Sequence, residues 1–212
     1  EQDSIYGDKL DEYSSSMYQR ELALSHLSLN NSEIPRISML RFGTVVGVSP
    51  GQRTDLLVPS LYKSAYKTGV LNVQSFNAMR SFLWLDDLSR AVKTIIDKIL
   101  WDDVRFNIWH LASFNATILK VATTVSSITG ASIDTGDGIS GDTLAEELFS
   151  LKGFSLNCDR FKSIFEFSFK GDLQTVLADF EDASTHIENK NLKREIMLVA
   201  DSLRLGGAIL GN

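Results

Sequence analysis

Cysteine is almost absent: Cys158 stands alone among 212 residues. No intrachain disulfide and no multi-cysteine metal site can form, which suits a reducing compartment and makes the cytoplasm the expected location. Histidine is nearly as scarce. His26, His110 and His186 stand at no metal-ligand spacing, so zinc chemistry is not expected. No apolar run approaches the roughly 20 residues that a membrane span requires, so a soluble chain without a membrane partner is expected. The sequence also lacks a Lys/Arg cluster and carries a net charge of -6. A nucleic-acid surface must neutralise several phosphates at once, and nothing here is placed to do so. Any anionic ligand has to be held by a few placed cations.

What is present is an ordinary globular composition, 43% apolar and 23% charged, with enough length for one full domain or a domain and part of a second. The chain begins without Met or a signal-peptide pattern, so its numbering is expected to start within a longer gene. Leu10 to Leu29 runs without Gly or Pro and predicts a helix whose apolar weight falls late, on Leu22, Leu24, Leu27 and Leu29. Arg36 to Val48 is dense in Ile, Met, Leu, Phe and Val and predicts one strand buried on both faces. A helix is expected over Asp55 to Lys67, ended by Gly69, with short strands at Val70 to Val73 and Ser81 to Leu85.

Asp86 to Leu100 carries the clearest helical pattern. Asp86 and Asp87 favour its positive N-terminal end, and Leu88, Ala91, Val92, Ile95, Ile96 and Ile99 form one apolar face. A strand over Phe106 to Ala112 and a helix over Thr117 to Thr129, ended by Gly130, repeat the β-α order. Asp134 to Thr143 reads as loop, Asp172 to Ala183 as a short helix and Asn189 to Leu205 as a last amphipathic one. Strands alternating with helices are the grammar of an α/β fold.

Several local patterns follow one another in the order of a known family. Ser4-Ile5-Tyr6-Gly7 is followed by Tyr13-Ser14-Ser15-Ser16-Met17 and Glu21, then by Leu40-Arg41-Phe42-Gly43-Thr44-Val45-Val46-Gly47 with Ser49-Pro50 and Arg53-x-Asp55-Leu56. Arg80-Ser81-Phe82-Leu83-Trp84-Leu85-Asp86-Asp87, Phe106-Asn107 and Asp159-x-x-Lys162 with Phe165 complete the series. Together they resemble the extended short-chain dehydrogenases/reductases, the NAD-dependent sugar-nucleotide epimerases and dehydratases, from just after the fifth Rossmann strand to the C-terminus.

The resemblance implies an α/β fold: a partial Rossmann-like parallel sheet, its late strands and helices, with a small C-terminal substrate-binding lobe. Residues 1–50 would be the remainder of the Rossmann-like domain, and residues 51–212 the interleaved lobe and closing elements. It implies Tyr13 as the catalytic acid/base that exchanges a proton with the sugar while NAD or NADP carries hydride. It further implies Thr44, Arg53 and Arg80 as substrate-binding residues for a nucleotide-diphosphate sugar. A guanidinium suits this because it grips two phosphate oxygens at once.

The sequence also departs from the family. Met17 stands where a lysine one helical turn from the tyrosine belongs, and a thioether supplies neither charge nor a strong donor. Gln2 falls near the position of the Ser/Thr partner, and no Gly-x-x-Gly-x-x-Gly follows a strand anywhere, so the usual dinucleotide turn is missing. Two readings therefore stay open. The chain is the substrate-binding part of an NAD-dependent epimerase, dehydratase or reductase, acting as a homodimer or with a companion chain that supplies the N-terminal Rossmann half. Or it is a non-catalytic homologue that binds a sugar nucleotide or serves as a dimerisation module.

Residues outside those roles have plainer expectations. Asp86 and Asp87 are helix-starting residues without chemistry, His110 is a satisfied core histidine, and Asn107 closes a local hydrogen-bond network. Asp159 and Lys162 form a structural link at helical spacing.

Overall fold

The computed structural model describes residues 12–33, 36–49, 53–99, 105–136 and 153–186. Gln2, Ser4 to Gly7, Pro50, the later part of the Asp134 to Thr143 segment and the Asn189 to Leu205 helix lie outside the described residues. The element order is α1 (Glu12–Asn30), β1 (Ile37–Phe42), β2 (Thr44–Val46), α2 (Leu57–Thr68), β3 (Val70–Asn72), β4 (Met79–Trp84) and α3 (Leu85–Ile99). There follow β5 (Phe106–Leu111), β6 (Phe114–Thr117), α4 (Ile118–Thr129), β7 (Ser132–Asp134), α5 (Asp159–Phe165) and α6 (Leu173–His186).

Three small sheets result. β1 pairs with β5 in parallel, β2 with β4 in parallel and β4 with β6 antiparallel, and β3 with β7 in parallel. The architecture is mixed α/β with parallel sheet pieces, a partial Rossmann-like fold.

The single strand expected over Arg36 to Val48 is two strands in two sheets. The Gly43 amide still donates to the Leu111 carbonyl at 3.1 Å, the last bond toward β5, and from Thr44 onward the chain pairs with β4. Gly43 permits the switch because a Cβ there would lie 2.5 Å from the Ser81 carbonyl carbon. Nor is β1 buried on both faces: its residues are half-buried and Phe42 is exposed.

α2 and α4 end where their glycines predict. Gly69 and Gly130 both adopt the left-handed conformation and return their amides to Ala65 and Ser126. The Thr117 hydroxyl caps α4 by accepting the Lys120 amide at 3.1 Å.

β4 divides the interior. Its side chains alternate, so Phe82 and Trp84 join Val46, Val58, Leu61, Val121, Val125 and Leu177 in one core, beneath α2, α4 and α6. Leu83, on the opposite face, joins Ala91, Ile95, Trp109, Leu111, Phe161 and Phe165 in a second core between the β1-β5 pair, α3 and α5. Burial of Phe82 or Leu83 contributes roughly 2–3 kcal/mol of transfer free energy each, so the strand that carries the middle of the molecule is held from both sides.

Two helices differ from their expected packing. Ile96 of α3 is exposed, so the core-facing stripe of that helix is narrower than its apolar pattern. On α1, Leu22, Leu27 and Leu29 are exposed and Ser28 is the buried residue. That helix is tied down by polar contacts: Ser28 Oγ donates to the Arg105 carbonyl at 2.9 Å, Arg105 Nε returns a bond to the Ser28 carbonyl at 2.8 Å, and Arg41 pairs with Glu21.

Candidate functional site

Among the four residues singled out for chemistry, Thr44 and Arg80 lie on neighbouring strands of one sheet. Thr44 is in register with Phe82 and Val46 with Trp84, and Arg80 lies two residues before Phe82 on the same strand. Strand alternation therefore puts Thr44 and Arg80 on one face of the β2-β4 pair, the face whose inner part is the Phe82 core. Both stand at the half-buried margin of that face.

Arg80 is oriented by its own strand and by a distant segment. Its Nη1 donates to the Met79 carbonyl at 3.0 Å, and its guanidinium carbon lies 5.9 Å from the centre of the Phe154 ring. The stretch from Gly153 to Leu156 runs along β4: the Phe154 amide donates to the Met79 carbonyl at 2.9 Å and the Leu156 amide to Ser81 Oγ at 2.8 Å. Ser81 Oγ in turn donates to Asn115 Oδ1 at 2.6 Å, and Asn115 Nδ2 donates to the Leu156 carbonyl at 3.2 Å. Gly153 is required for this close approach, since a Cβ would fall 2.4 Å from the Met79 amide nitrogen.

Arg53 occupies the turn before α2. Its Nη2 donates to Asp55 Oδ2 at 2.7 Å and its Nε to Oδ1 at 3.2 Å. The hydrogen bond and charge of Asp55 raise the pKa of the guanidinium further above its already high value. They also oppose the approach of an anion, so Arg53 needs Asp55 to turn away before it can serve a phosphate. Tyr13 lies in the first turn of α1 and is 73% exposed. It sits on the helix with few buried contacts, and Met17 follows it one turn later.

Two polar centres had not been expected to matter. Asp87 is fully buried. Its carboxylate accepts from Ser113 Oγ at 2.7 Å, from the Gly171 amide at 2.8 Å and from the Lys170 amide at 3.0 Å, and it pairs with Arg90. Burial alone would push this carboxyl upward, but the bonds from Ser113, Lys170, Gly171 and Arg90 prevail and hold it below the usual carboxylate range. It does more than begin α3: it fastens the chain entering α6 to the β4-α3 corner.

The second centre joins α1, β1 and β5. Arg41 pairs with Glu21 through two bonds and lies 3.5 Å from His110 Nε2, while His110 Nδ1 is 3.3 Å from the Asn157 carbonyl. Burial, then the charge of Arg41, lowers the imidazole pKa against the smaller opposing effects of Asn157 and Glu21. His110 is thus half-buried and partnered within a polar chain.

Asn107 does close a local network, accepting from Arg160 Nη2 at 3.1 Å, and the Asp159–Lys162 pair is present at 3.5 Å within α5. Arg160 also stacks on Trp109, 4.5 Å from the ring centre.

The pattern Gly-x-x-Gly-x-x-Gly does not follow a strand among the described residues. Among the described residues no group of three potential metal ligands occurs, and no helix is long and apolar enough to cross a membrane.

The sequence matches no family model and no curated protein. Its structure does resemble solved ones. UDP-glucuronic acid 4-epimerase from Bacillus cereus, in complex with UDP-glucuronic acid and NAD, superposes with a TM-score of 0.66 at 20% identity, over 87% of this chain and 60% of that one. MoeE5 in complex with UDP-glucuronic acid and NAD gives 0.64 at 20% identity, over 84% and 56%. dTDP-glucose 4,6-dehydratase from Bacillus anthracis in complex with NAD gives 0.61 at 16% identity, over 86% and 57%. This chain therefore spans somewhat more than half the length of the proteins it resembles. Over that length it has the fold that these solved structures share.

Proposed function

We propose that this chain is the substrate-binding portion of an NAD-dependent nucleotide-sugar epimerase or dehydratase, working in the cytoplasm. The observation that carries the reading is the placement of Arg80 and Thr44 on one margin of the β2-β4 pair, within a fold otherwise found in enzymes solved with UDP-sugars. Arg80 grips the diphosphate through paired guanidinium donors, Thr44 offers a hydroxyl to the sugar, and Arg53 closes on the phosphates once Asp55 releases it. Tyr13, in the acid/base position, exchanges a proton with a sugar hydroxyl. The residues of 1–50 belong to the Rossmann-like part and those of 51–212 to the interleaved lobe. NAD is held by a Rossmann half outside the described residues, and the chain acts as a homodimer or with a companion chain that supplies that half.

A second reading is favoured by two observations, the exposure of Tyr13 and the thioether of Met17. In it the chain binds the sugar nucleotide, or pairs with another copy, without performing chemistry. The first reading and the sugar-nucleotide-binding form of the second share the binding step. Calorimetric titration of the chain with a uridine-diphosphate sugar tests it: saturable binding that Arg80→Ala weakens at least about tenfold is expected, since charge-assisted hydrogen bonds to phosphate contribute about 1.5–3 kcal/mol. Absence of binding, or binding indifferent to Arg80, contradicts the proposal. Binding of NAD by the same chain would overturn the conclusion drawn from Met17 and the missing turn.

A further inference from the structure

The two outer edges of the β1-β5 pair are unlike. The Ile37 amide donates to the Arg105 carbonyl at 2.8 Å and the Gly43 amide to the Leu111 carbonyl at 3.1 Å, which fixes the phase of this parallel ladder. Along such a strand the amide and carbonyl of one residue point to the same side, and successive residues alternate. Ile37, Met39 and Arg41 therefore face β5, and Ser38, Leu40 and Phe42 turn their amides and carbonyls outward. On β5 the outward groups are taken up from α5 and the residue before it: Arg160 Nη1 donates to the Ile108 carbonyl at 3.0 Å, and the Ala112 amide donates to Cys158 Sγ at 3.1 Å. On β1 they meet no strand among the described residues.

Sheet edges that stay uncovered are protected by a proline, a lysine, a bulge or shortness. β1 has none of these: it runs for six residues in unbroken register, Ile-Ser-Met-Leu-Arg-Phe, and its single charge, Arg41, is paired with Glu21 of α1. The outward set is also self-complementary. Turned about a two-fold axis through Leu40 and normal to the sheet, β1 meets a second copy of itself antiparallel, with Leu40 opposite the partner's Leu40 and Ser38 opposite the partner's Phe42. Each such pair exchanges two hydrogen bonds, so no outward amide or carbonyl of Ser38, Leu40 or Phe42 is left over. Arg41 falls opposite the partner's Met39, so like charges do not face each other across the seam. The same axis keeps α1, which lies on the Arg41 face and exposes Leu22, Leu27 and Leu29, on one side of the joined sheet in both copies.

We propose that the outer edge of β1 docks a second copy of this chain, joining two β1-β5 pairs through an antiparallel two-fold seam into one four-stranded sheet. The interface is isologous, and it closes at two copies because each chain has a single β1 edge to offer. The inference is independent of the nucleotide-sugar reading, since the seam uses backbone groups of β1 and neither Thr44 nor Arg80.

Sedimentation of the full chain across a concentration series, with and without Ser38→Pro, and oxidation of a Ser38→Cys/Phe42→Cys variant test it. A monomer-dimer equilibrium is expected. Ser38→Pro removes a donor that points outward and none that points to β5, so the dissociation constant of the dimer should rise at least about tenfold. In the double-cysteine variant, position 38 faces position 42 of the other copy at about 5.5 Å between Cα atoms, within disulfide reach, whereas the two positions of one chain stand about 13 Å apart. Diamide should therefore give a covalent dimer from the double variant and little from either single variant. A chain that stays monomeric, a dimer indifferent to Ser38→Pro, or cross-linking as strong in the single variants overturns the proposal. If the thermal midpoint shows Ser38→Pro to be poorly folded, the cross-linking pattern decides.

Discussion

The Asp87 carboxylate accepts the Gly171 amide proton at 2.8 Å, joining the first turn of α3 to a residue 84 positions later. The contact is possible because Gly171 has no side chain: a Cβ there would lie 2.5 Å from the Trp84 Cβ and 3.1 Å from Asp87 Oδ2. With Trp84 donating to Asp179 Oδ2 at 2.7 Å, it holds α6 over the sheet that carries Thr44 and Arg80.

Replacing this carboxylate is therefore expected to be costly. Asp87→Asn keeps the shape but turns an amide group toward the Lys170 and Gly171 amides, which are themselves donors, and removes the counter-charge of Arg90. A loss of about 3 kcal/mol is expected, read as a fall in the urea midpoint at unchanged slope. A midpoint within experimental error of the unaltered chain would show that the buried bonds do not hold α6.

Stability should fall toward acid in two stages. His110 is held below its ordinary value of 6.5 in the fold, so the unfolded chain takes up its proton first, and stability declines as pH drops below 6.5 toward the folded value. Asp87 is likewise depressed. Its contribution is complete above the usual carboxylate range, near 3.9, and is lost as pH falls through the lower folded value. Urea midpoints measured from pH 7.5 to pH 3 check both stages. Glu21→Gln, which removes a carboxylate that raises the His110 pKa, should move the imidazole titration, followed by NMR, still lower.

The mostly polar attachment of α1 has its own test. Arg41→Met removes both bonds to Glu21, a pair only partly open to solvent, and leaves the carboxylate without its cation. The change should cost about 2 kcal/mol locally, corresponding to roughly 30-fold faster amide exchange in α1, with α2 and α4 unaffected. Uniform acceleration across the chain would mean that α1 opens only when the whole domain does.

Gly43→Ala addresses the point where one apolar run becomes two strands. The added methyl meets the Ser81 backbone at 2.5 Å, and β1 or β4 must shift to admit it. A cost of about 1–3 kcal/mol is expected, with weakened nucleotide binding, because Thr44 follows directly and Arg80 precedes Ser81. Full stability in this variant would remove the reason given for the glycine.

These cases also show what sequence could and could not reveal. α2, α3 and α4 were legible because their apolar spacing and the glycines at 69 and 130 are local signals. The break at Gly43 was not, since Ile, Met, Leu and Phe before it give way to Val after it without a loss of apolar character, and the cause lies at Ser81, 38 residues away. Short strands such as β6 and β7 hold too few residues to show alternation. Asp87 was read from its position at the start of a helix, which is correct locally and silent about the amides of Lys170 and Gly171.

At the candidate site, Arg80 and Thr44 were reached through family resemblance, and strand register then placed them on one face.

The most direct measurement is an NMR map of the isotopically labelled chain as a uridine-diphosphate sugar is added. Nucleotide binding at the proposed site predicts the largest amide shifts at Thr44 and Arg80, with residues of α3 and α5 little changed. Shifts centred elsewhere, or none at saturating ligand, would contradict the assignment of this margin of the sheet as the nucleotide-sugar site.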